Sequence, residues 1–513
     1  MEGSGSGYIT DIAYSDGFYI FQTPRHLTLT ATINAVESAD LSRGFSYCEL
    51  GCGTGLTSLI LAAANPEAVF HAVDFNPAHI AHGRALSGAA DIPNIHWHQI
   101  DFAELGPGGA ELPMFDFITM HGVWSWIAPE LQDSIVRFVE RHLRPGGLLY
   151  VSYNAMPAWS AKAPLQRLVQ ELAAVMPGPS DRKAQGAVEM IMRLYDAKMI
   201  PHSFGPGVKL LAKLLHGRKL AYLAHEYLNS NWKPLYQADV ARALAPAKLE
   251  YVGQASLMRT FEQFLLTPEQ NALLDEVADP QIREFLKHFH LQHPFNEDVY
   301  VRDGTRMSEQ AQAAILEATT LCLFRPAPDK VELHGPNDLV WVPHREAFNV
   351  WFDMLGQQPR TVAELMTAPG IPPQLNGDSA SVVCLLVGGG FAAPIHTPPA
   401  AAVSACERLN RLIAGKGEIR LNDRAVVASA SLGIGLTLSP GDFLLYAALL
   451  RGERPDADVL ARQLAERARA EGANPIVAGK TVEDPVAAVA ALAQDYAAKI
   501  DHLVPIWQQT GIL

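Results

Sequence analysis

Along residues 47–153 short apolar runs alternate with longer stretches whose apolar positions recur every three to four residues. The short runs predict strands over Tyr47–Leu50, Val69–Asp74, Ile95–Ile100, Phe115–Met120 and Leu148–Tyr153. Between them, "TGLTSLILAAANP", "NPAHIAHGRALSGAA" and "APELQDSIVRFVERHL" carry helical spacing. Repeated strand–helix pairs predict a mostly parallel α/β sheet. Arg144-Pro145-Gly146-Gly147 predicts the turn into the fifth strand, with proline presetting φ and glycine taking a positive one.

The pattern then changes. Residues 160–230 are helical and too long for one crossover, which predicts a helical insertion. "LYQADVARALAPAKLEYVGQAS" reads as helix, turn and strand, and "EDVYVRDG" as a further strand that completes the sheet with an antiparallel edge. From about 306 the spacing is mostly helical, with a winged-helix-like stretch up to a Pro/Ala linker at "APIHTPPAAAVSA" and amphipathic helices beyond. The expected units are 1–160, 161–305, 306–398 and 399–513, the last two forming a separately packed region.

Composition narrows the setting. A chain of 513 residues is long enough for two or three domains with full-sized cores. Five scattered cysteines (Cys48, Cys52, Cys322, Cys384, Cys406) form no close pair, which points to reduced thiols in a cytoplasm and no metal site. "MEGSGSGYITDIAY" lacks the basic start and apolar core of a signal peptide, and no later run has the length of a membrane span. A net charge of -14 argues against a nucleic-acid partner and suits a cationic ligand or a basic peptide.

The candidate chemistry starts at "YCELGCGTGL", residues 47–56. A phosphate loop needs a lysine that is missing here, and a dinucleotide loop needs GxGxxG where Gly51, Gly53 and Gly55 are spaced GxGxG. Glu49 before the glycines, and Asp74 at the end of the second strand, make the stretch resemble the class I S-adenosylmethionine-dependent methyltransferases. That resemblance implies a Rossmann-like sheet and S-adenosylmethionine as cofactor. Glycines would admit the methionine part, Asp74 would accept from the ribose hydroxyls, Asp101 would accept from the adenine amino group, and Phe75 and Phe102 would flank the ring.

"GYITDIAYSDGFY", "MHGVWSWI", "YNAMPAW" and "AHEYLN" further resemble methyltransferases with a methyltransferase regulatory domain, a family that includes the rickettsial-type protein lysine methyltransferases. Bacterial members of this kind imply helical accessory domains, an open central cavity and often a homodimer. They also imply an N-terminal aromatic segment, here Tyr14 and Tyr19, folding over the cofactor, though ordinary packing would also account for both tyrosines. The chain departs from the family at Ala158, where glycine is usual, and at "KHFHLQHPFNE", where a basic segment is expected.

In doubly wound sheets ligands meet the carboxyl ends of strands, so the acceptor should meet His121, Trp124, Trp126, Tyr153, Asn154 and Trp159. Aromatic walls suit a cationic methyl donor and an amine acceptor. His121 or Tyr153 would relay a proton, Asn154 would orient the amine, and His121 also counts among the cofactor contacts; the alternative is that Trp124 and Trp126 are core. "HEYLN" lacks the second histidine of a zinc helix and is read as a structural cap. Lys209, Lys213, Arg218 and Lys219 are read as a solvated helix face. The expected activity is methyl transfer to lysine of a protein or peptide. The alternatives are a small-molecule methyltransferase and a cofactor-sensing protein, the first recognisable by a sealed cavity.

Overall fold

The computed structural model describes residues 11, 17–106, 108, 111–216, 220–328, 330–334, 340–341, 345–415, 424–454, 456–471, 476–477, 480–482 and 484–513. Its centre is a seven-stranded sheet in the order β3-β2-β1-β4-β5-β7-β6. Four strands fall where the apolar runs predict them: β1 (Ser46–Leu50), β2 (Val69–Asp74), β3 (Ile95–Gln99) and β4 (Phe115–Met120). The fifth, β5 (Leu143–Asn154), starts earlier than expected, because Arg144–Gly147 is absorbed into it as an irregularity instead of standing outside as a turn. Gly146 takes φ +76° there, while Leu143 already pairs with Phe115 before the register shifts.

β1 to β5 run parallel. β6 (Leu249–Gln254) and β7 (Phe295–Arg302) complete the sheet, with β7 antiparallel to both β5 and β6, which is the edge that "EDVYVRDG" predicts. Period-two alternation divides side chains between two cores. Tyr47, Phe70, Phe117 and Tyr150 face one side, packed with helices α1 (Pro24–Ile33) and α2 (Leu56–Ala64). Cys48, Ile118, Leu149, Val151 and Tyr153 face the other, under α4 (Pro129–His142). The third crossover helix of this set, α3 (Pro77–Ala89), begins at the Asn76 cap, whose side chain accepts from the Ala78 N–H.

Residues 163–228 form the expected helical insertion, helices α5 (Ala163–Ala174), α6 (Ser180–Asp196), α7 (Gly205–His216) and α8 (Leu220–Leu228) around a small core of their own. Farther along, Thr320–Leu323 is the middle strand of a three-stranded antiparallel sheet. The hairpin Ala425–Ser429 with Ile434–Leu438 lies in the otherwise helical terminal region. Helical periodicity gave no sign of that hairpin.

Separate packing of residues 306–513 is not what the fold adopts. One contiguous apolar core runs from Leu27, Ile60 and Phe70 through Phe348 and Leu386 to Leu436 and Trp507. Polar ties cross the same boundary: the Asn65 side chain donates to the Gly433 carbonyl at 2.9 Å, and Arg408 Nε donates to the Ala90 carbonyl at 3.0 Å. The physical reason is that α2 is apolar nearly all round and needs cover on its outer side as well as against the sheet.

Candidate active site

Strand order reverses between β1 and β4, and the crevice outside their carboxyl ends is a cavity of about 650 Å³. Loops after β1, β2, β3 and β4 build one end of it, and helices α7 and α8, with Trp159 and Lys162 just ahead of α5, build the other.

At the loop end Gly51 and Gly53 line the wall. Gly53 takes φ +57°, and a Cβ placed there would meet nothing within 4 Å, so the backbone itself is the wall. Gly55, expected to line the same wall, does not. It caps α2 at φ +76°, where a Cβ would lie 2.2 Å from Trp97 Cζ3, so this glycine serves close packing of helix on strand.

Glu49 is buried on the wall, accepting from Gln22 Nε2 at 2.8 Å and from the Ser58 hydroxyl. Burial pushes its carboxyl up to about 7. Asp74 Oδ2 accepts from the Gly53 N–H at 2.9 Å, while Oδ1 accepts from the Asn76 N–H at 2.9 Å and faces His79 Nδ1 at 3.2 Å. A carboxylate offers about four acceptor positions, so Oδ2 keeps a direction for a ligand hydroxyl. Asp101 and Phe102 line the wall, Asp101 also capping the short turn that follows. Phe75 lines it and is 39% exposed.

Tyr19 lies over this end, its ring stacked on His121 with centroids 3.6 Å apart. Tyr14 lies outside the described residues. His121 Nδ1 is 2.8 Å from the Tyr150 hydroxyl, and burial drives the imidazole down to about 3. The imidazole is therefore neutral at neutral pH, and His121 stands in the cavity wall as a neutral ring.

Trp126, Asn154 and Trp159 are on the wall as expected. Trp159 Nε1 donates to the Pro294 carbonyl at 2.8 Å, and Asn154 Nδ2 is buried without a partner among the described residues. Trp124 and Tyr153 are not on the wall. Trp124 is packed in the core under α4. Strand alternation sends Tyr153 to that same face, where its hydroxyl donates to Asp298 Oδ2 at 2.7 Å. Away from the cavity and bonded to Asp298, Tyr153 drops out as a relay.

The sequence reading missed the helical end. Leu210 and Leu214 of α7 and Tyr222, His225 and Glu226 of α8 line it, the last three at i, i+3 and i+4 on one helix face. Their signal was "HEYLN" itself, two polar residues side by side in an apolar helix. Asn229, just past α8, donates its Nδ2 to the Trp126 carbonyl at 3.3 Å and ties the end of the helix to the loop after β4. Among the described residues no group of histidine, cysteine and acid side chains is placed to hold a metal ion.

Residues 48–149 match a family model described as a methyltransferase domain, and residues 219–302 match one described as a predicted methyltransferase regulatory domain. An uncharacterised protein of Synechocystis sp. is 33% identical over 320 residues, 62% of this chain and 63% of its own length. An uncharacterised protein of Rickettsia prowazekii is 24% identical over 263 residues, 50% of this chain and 46% of its own. The chain thus spans less than two thirds of either relative. The structure of PKMT2 from Rickettsia typhi in complex with AdoHcy (S-adenosylhomocysteine) superposes with a TM-score of 0.68 at 16% identity, covering 97% of this chain and 99% of that one. Its likeness establishes the shared fold.

Proposed function

We propose that this chain, whose residues 48–149 and 219–302 match a methyltransferase domain and a predicted methyltransferase regulatory domain, is an S-adenosylmethionine-dependent enzyme that methylates lysine side chains of a protein substrate. The observation that carries the reading is one cavity with two differently built ends. The loop end suits the cofactor: the bare Gly53 backbone leaves room, Asp74 keeps an acceptor direction for a ribose hydroxyl, and the Asn154 amide wants an acceptor atom. Residues Glu49, Gly51, Gly53, Asp74, Phe75, Asp101 and Phe102 would hold it, with Tyr19 and His121 stacked over them. When bound, S-adenosylmethionine supplies an electrophilic methyl group on a sulfonium.

The helical end suits an alkyl amine that enters from outside. Leu210 and Tyr222 line the cavity yet are 37% and 41% exposed, so this wall reaches the surface, as access for one side chain of a large substrate requires. A lysine must lose a proton before it attacks, at a cost of about 4 to 5 kcal/mol at pH 7 from a reference pKa near 10.4. Enclosure by Trp126 and Trp159 lowers that cost by disfavouring the charged form, and positioning by the same walls supplies the rest. Five cysteines, all free thiols in the fold, support a reducing compartment such as the cytoplasm. No described helix is long and apolar enough to cross a membrane.

The test is transfer of labelled methyl from S-adenosylmethionine to a lysate of the source cells. Label recovered as methyl-lysine after protein hydrolysis is the expected result. Label confined to small molecules would replace the reading with a small-molecule methyltransferase.

A further inference from the structure

The helical end of the cavity already holds an alkyl ammonium group, and it is the chain's own. Lys162 stands at the N-cap of α5 and is the one lysine among the described lining residues. Its ammonium lies over the Trp159 ring, 5.6 Å from the centroid. The two residues are three positions apart, and the Lys162 N–H donates to the Trp159 carbonyl at 2.9 Å, so the backbone keeps amine and ring together. The ring is itself fixed. Trp159 Nε1 donates to the Pro294 carbonyl at 2.8 Å, and the indole packs edge-on against Trp232 with centroids 4.9 Å apart.

Position along the chain places this lysine where an acceptor belongs. β5 ends at Asn154, and residues 155–162 carry the chain from that carboxyl end to α5. In a doubly wound sheet a ligand meets the residues that follow the strand ends. Asn154, Trp159 and Lys162 line the same cavity as Gly53 and Asp74. Other lysines are tied down: Lys287 pairs with Glu284 at 2.6 Å and Lys499 with Asp495 at 2.7 Å. The Lys162 ammonium makes no ion pair with a described residue, and only the ring face holds it. Its flexible four-carbon stem lets it leave the ring and return without moving α5.

We propose that the chain methylates its own Lys162, which reaches the acceptor end from the cavity wall as the lysine of a protein substrate reaches it from outside. This rests on the lysine-methylation reading and adds a modification site to it. The Lys162 ammonium first gives one proton to water. Its neutral nitrogen then bonds to the methyl carbon of S-adenosylmethionine as the bond from that carbon to the sulfonium sulfur breaks. The electron pair of the broken bond stays on sulfur, and S-adenosylhomocysteine leaves. Donor and amine share one cavity, so the step needs no second protein molecule. The product is a methylated ammonium, still cationic, and the Trp159 face continues to hold it.

The experiment uses the full chain and S-adenosylmethionine with a deuterated methyl group, which tells transfer during the assay from earlier modification. Peptide mapping by mass spectrometry should find the label on Lys162 and leave Lys287 and Lys499 bare. The fraction labelled per unit time should stay within about twofold when the protein is diluted about tenfold. Lys162→Arg, which keeps a cation beside Trp159 but offers no amine, should lose the label. Unlabelled Lys162 in wild type, label on Lys162→Arg at the wild-type level, or a labelled fraction that falls in proportion to dilution overturns the proposal. A second readout needs no turnover: reductive methylation with carbon-13 formaldehyde gives each lysine an NMR signal, that of Lys162 being the one missing from Lys162→Arg. S-adenosylhomocysteine should shift this signal, because an acceptor lies against the cofactor, and an unshifted signal overturns the proposal. Methyl-lysine in lysate proteins with Lys162 bare sinks self-modification alone, whereas label confined to small molecules sinks the reading beneath it as well.

Discussion

The two ends of the cavity are built by different means. The loop end is backbone, carboxylates and aromatic rings at the ends of neighbouring parallel strands, held in register by the sheet. The helical end is long side chains from α7 and α8, with Trp159 and Lys162 ahead of α5, brought there by an insertion with its own small core. A wall made of main chain admits one ligand shape and tolerates little change. A wall made of side chains on a separate bundle can be rewritten without disturbing the sheet, which is why the proposed function gives the cofactor to the first and the choice of acceptor to the second.

The largest effect that would break this contrast is at Gly55. Valine there must take a left-handed backbone and occupy the space of the Trp97 ring, which should cost about 3 to 5 kcal/mol of stability. Denaturant unfolding measures it, and a loss below about 1 kcal/mol would mean that the loop is not held by close packing.

At the helical end the effect should fall on rate instead. Trp159→Ala removes an aromatic wall and its bond to Pro294, and single-turnover methyl transfer should slow about a hundredfold through misplacement of the acceptor. Near-normal turnover would take Trp159 out of the site.

A subtler difference is electrostatic. The folded state holds Glu49 near 7, above its unfolded value, so its contribution is fully present below about pH 4.5 and is lost as pH rises through 7. His121, held near 3, acts oppositely: its contribution is present above about pH 6.5 and lost as pH falls toward 3. Comparing unfolding of wild type and Glu49→Gln at pH 5 and pH 8 should show the variant gaining about 2 kcal/mol relative to wild type at the higher pH. A pH-independent difference would mean that Glu49 is charged throughout.

Much of the loop end was legible in the sequence because it is local. Glu49, Gly51 and Gly53 lie within five positions, and Asp74 and Asp101 end or follow strands that apolar runs mark out. Even there, spacing did not separate Gly53, which faces the cavity, from Gly55, which packs on Trp97. For Tyr153 the strand was right and the face wrong: one residue decides which side of a sheet a side chain meets, and Asn154 next to it is the one on the wall. Trp124 and Trp126 divide between core and cavity for another reason, since both lie in the turn after β4, where no alternation assigns a face. Glu226 could not be assigned, since nothing in "HEYLN" says that α8 turns that face toward residues a hundred positions away. The continuity of the core into residues 306–513 was hidden for a like reason, as an all-apolar α2 does not name what covers its outer side.

The claim that the two ends have separate tasks is tested most directly by calorimetric titration of S-adenosylhomocysteine into wild type, Asp74→Ala and Trp159→Ala. Removing Asp74 takes away the anchor of the Gly53 N–H and the acceptor for a ligand hydroxyl, and should weaken binding by about 1.5 to 3 kcal/mol. Trp159→Ala should bind within about twofold of wild type. Equal loss in both variants, or loss in Trp159→Ala alone, would contradict the division of the cavity into a cofactor end and an acceptor end.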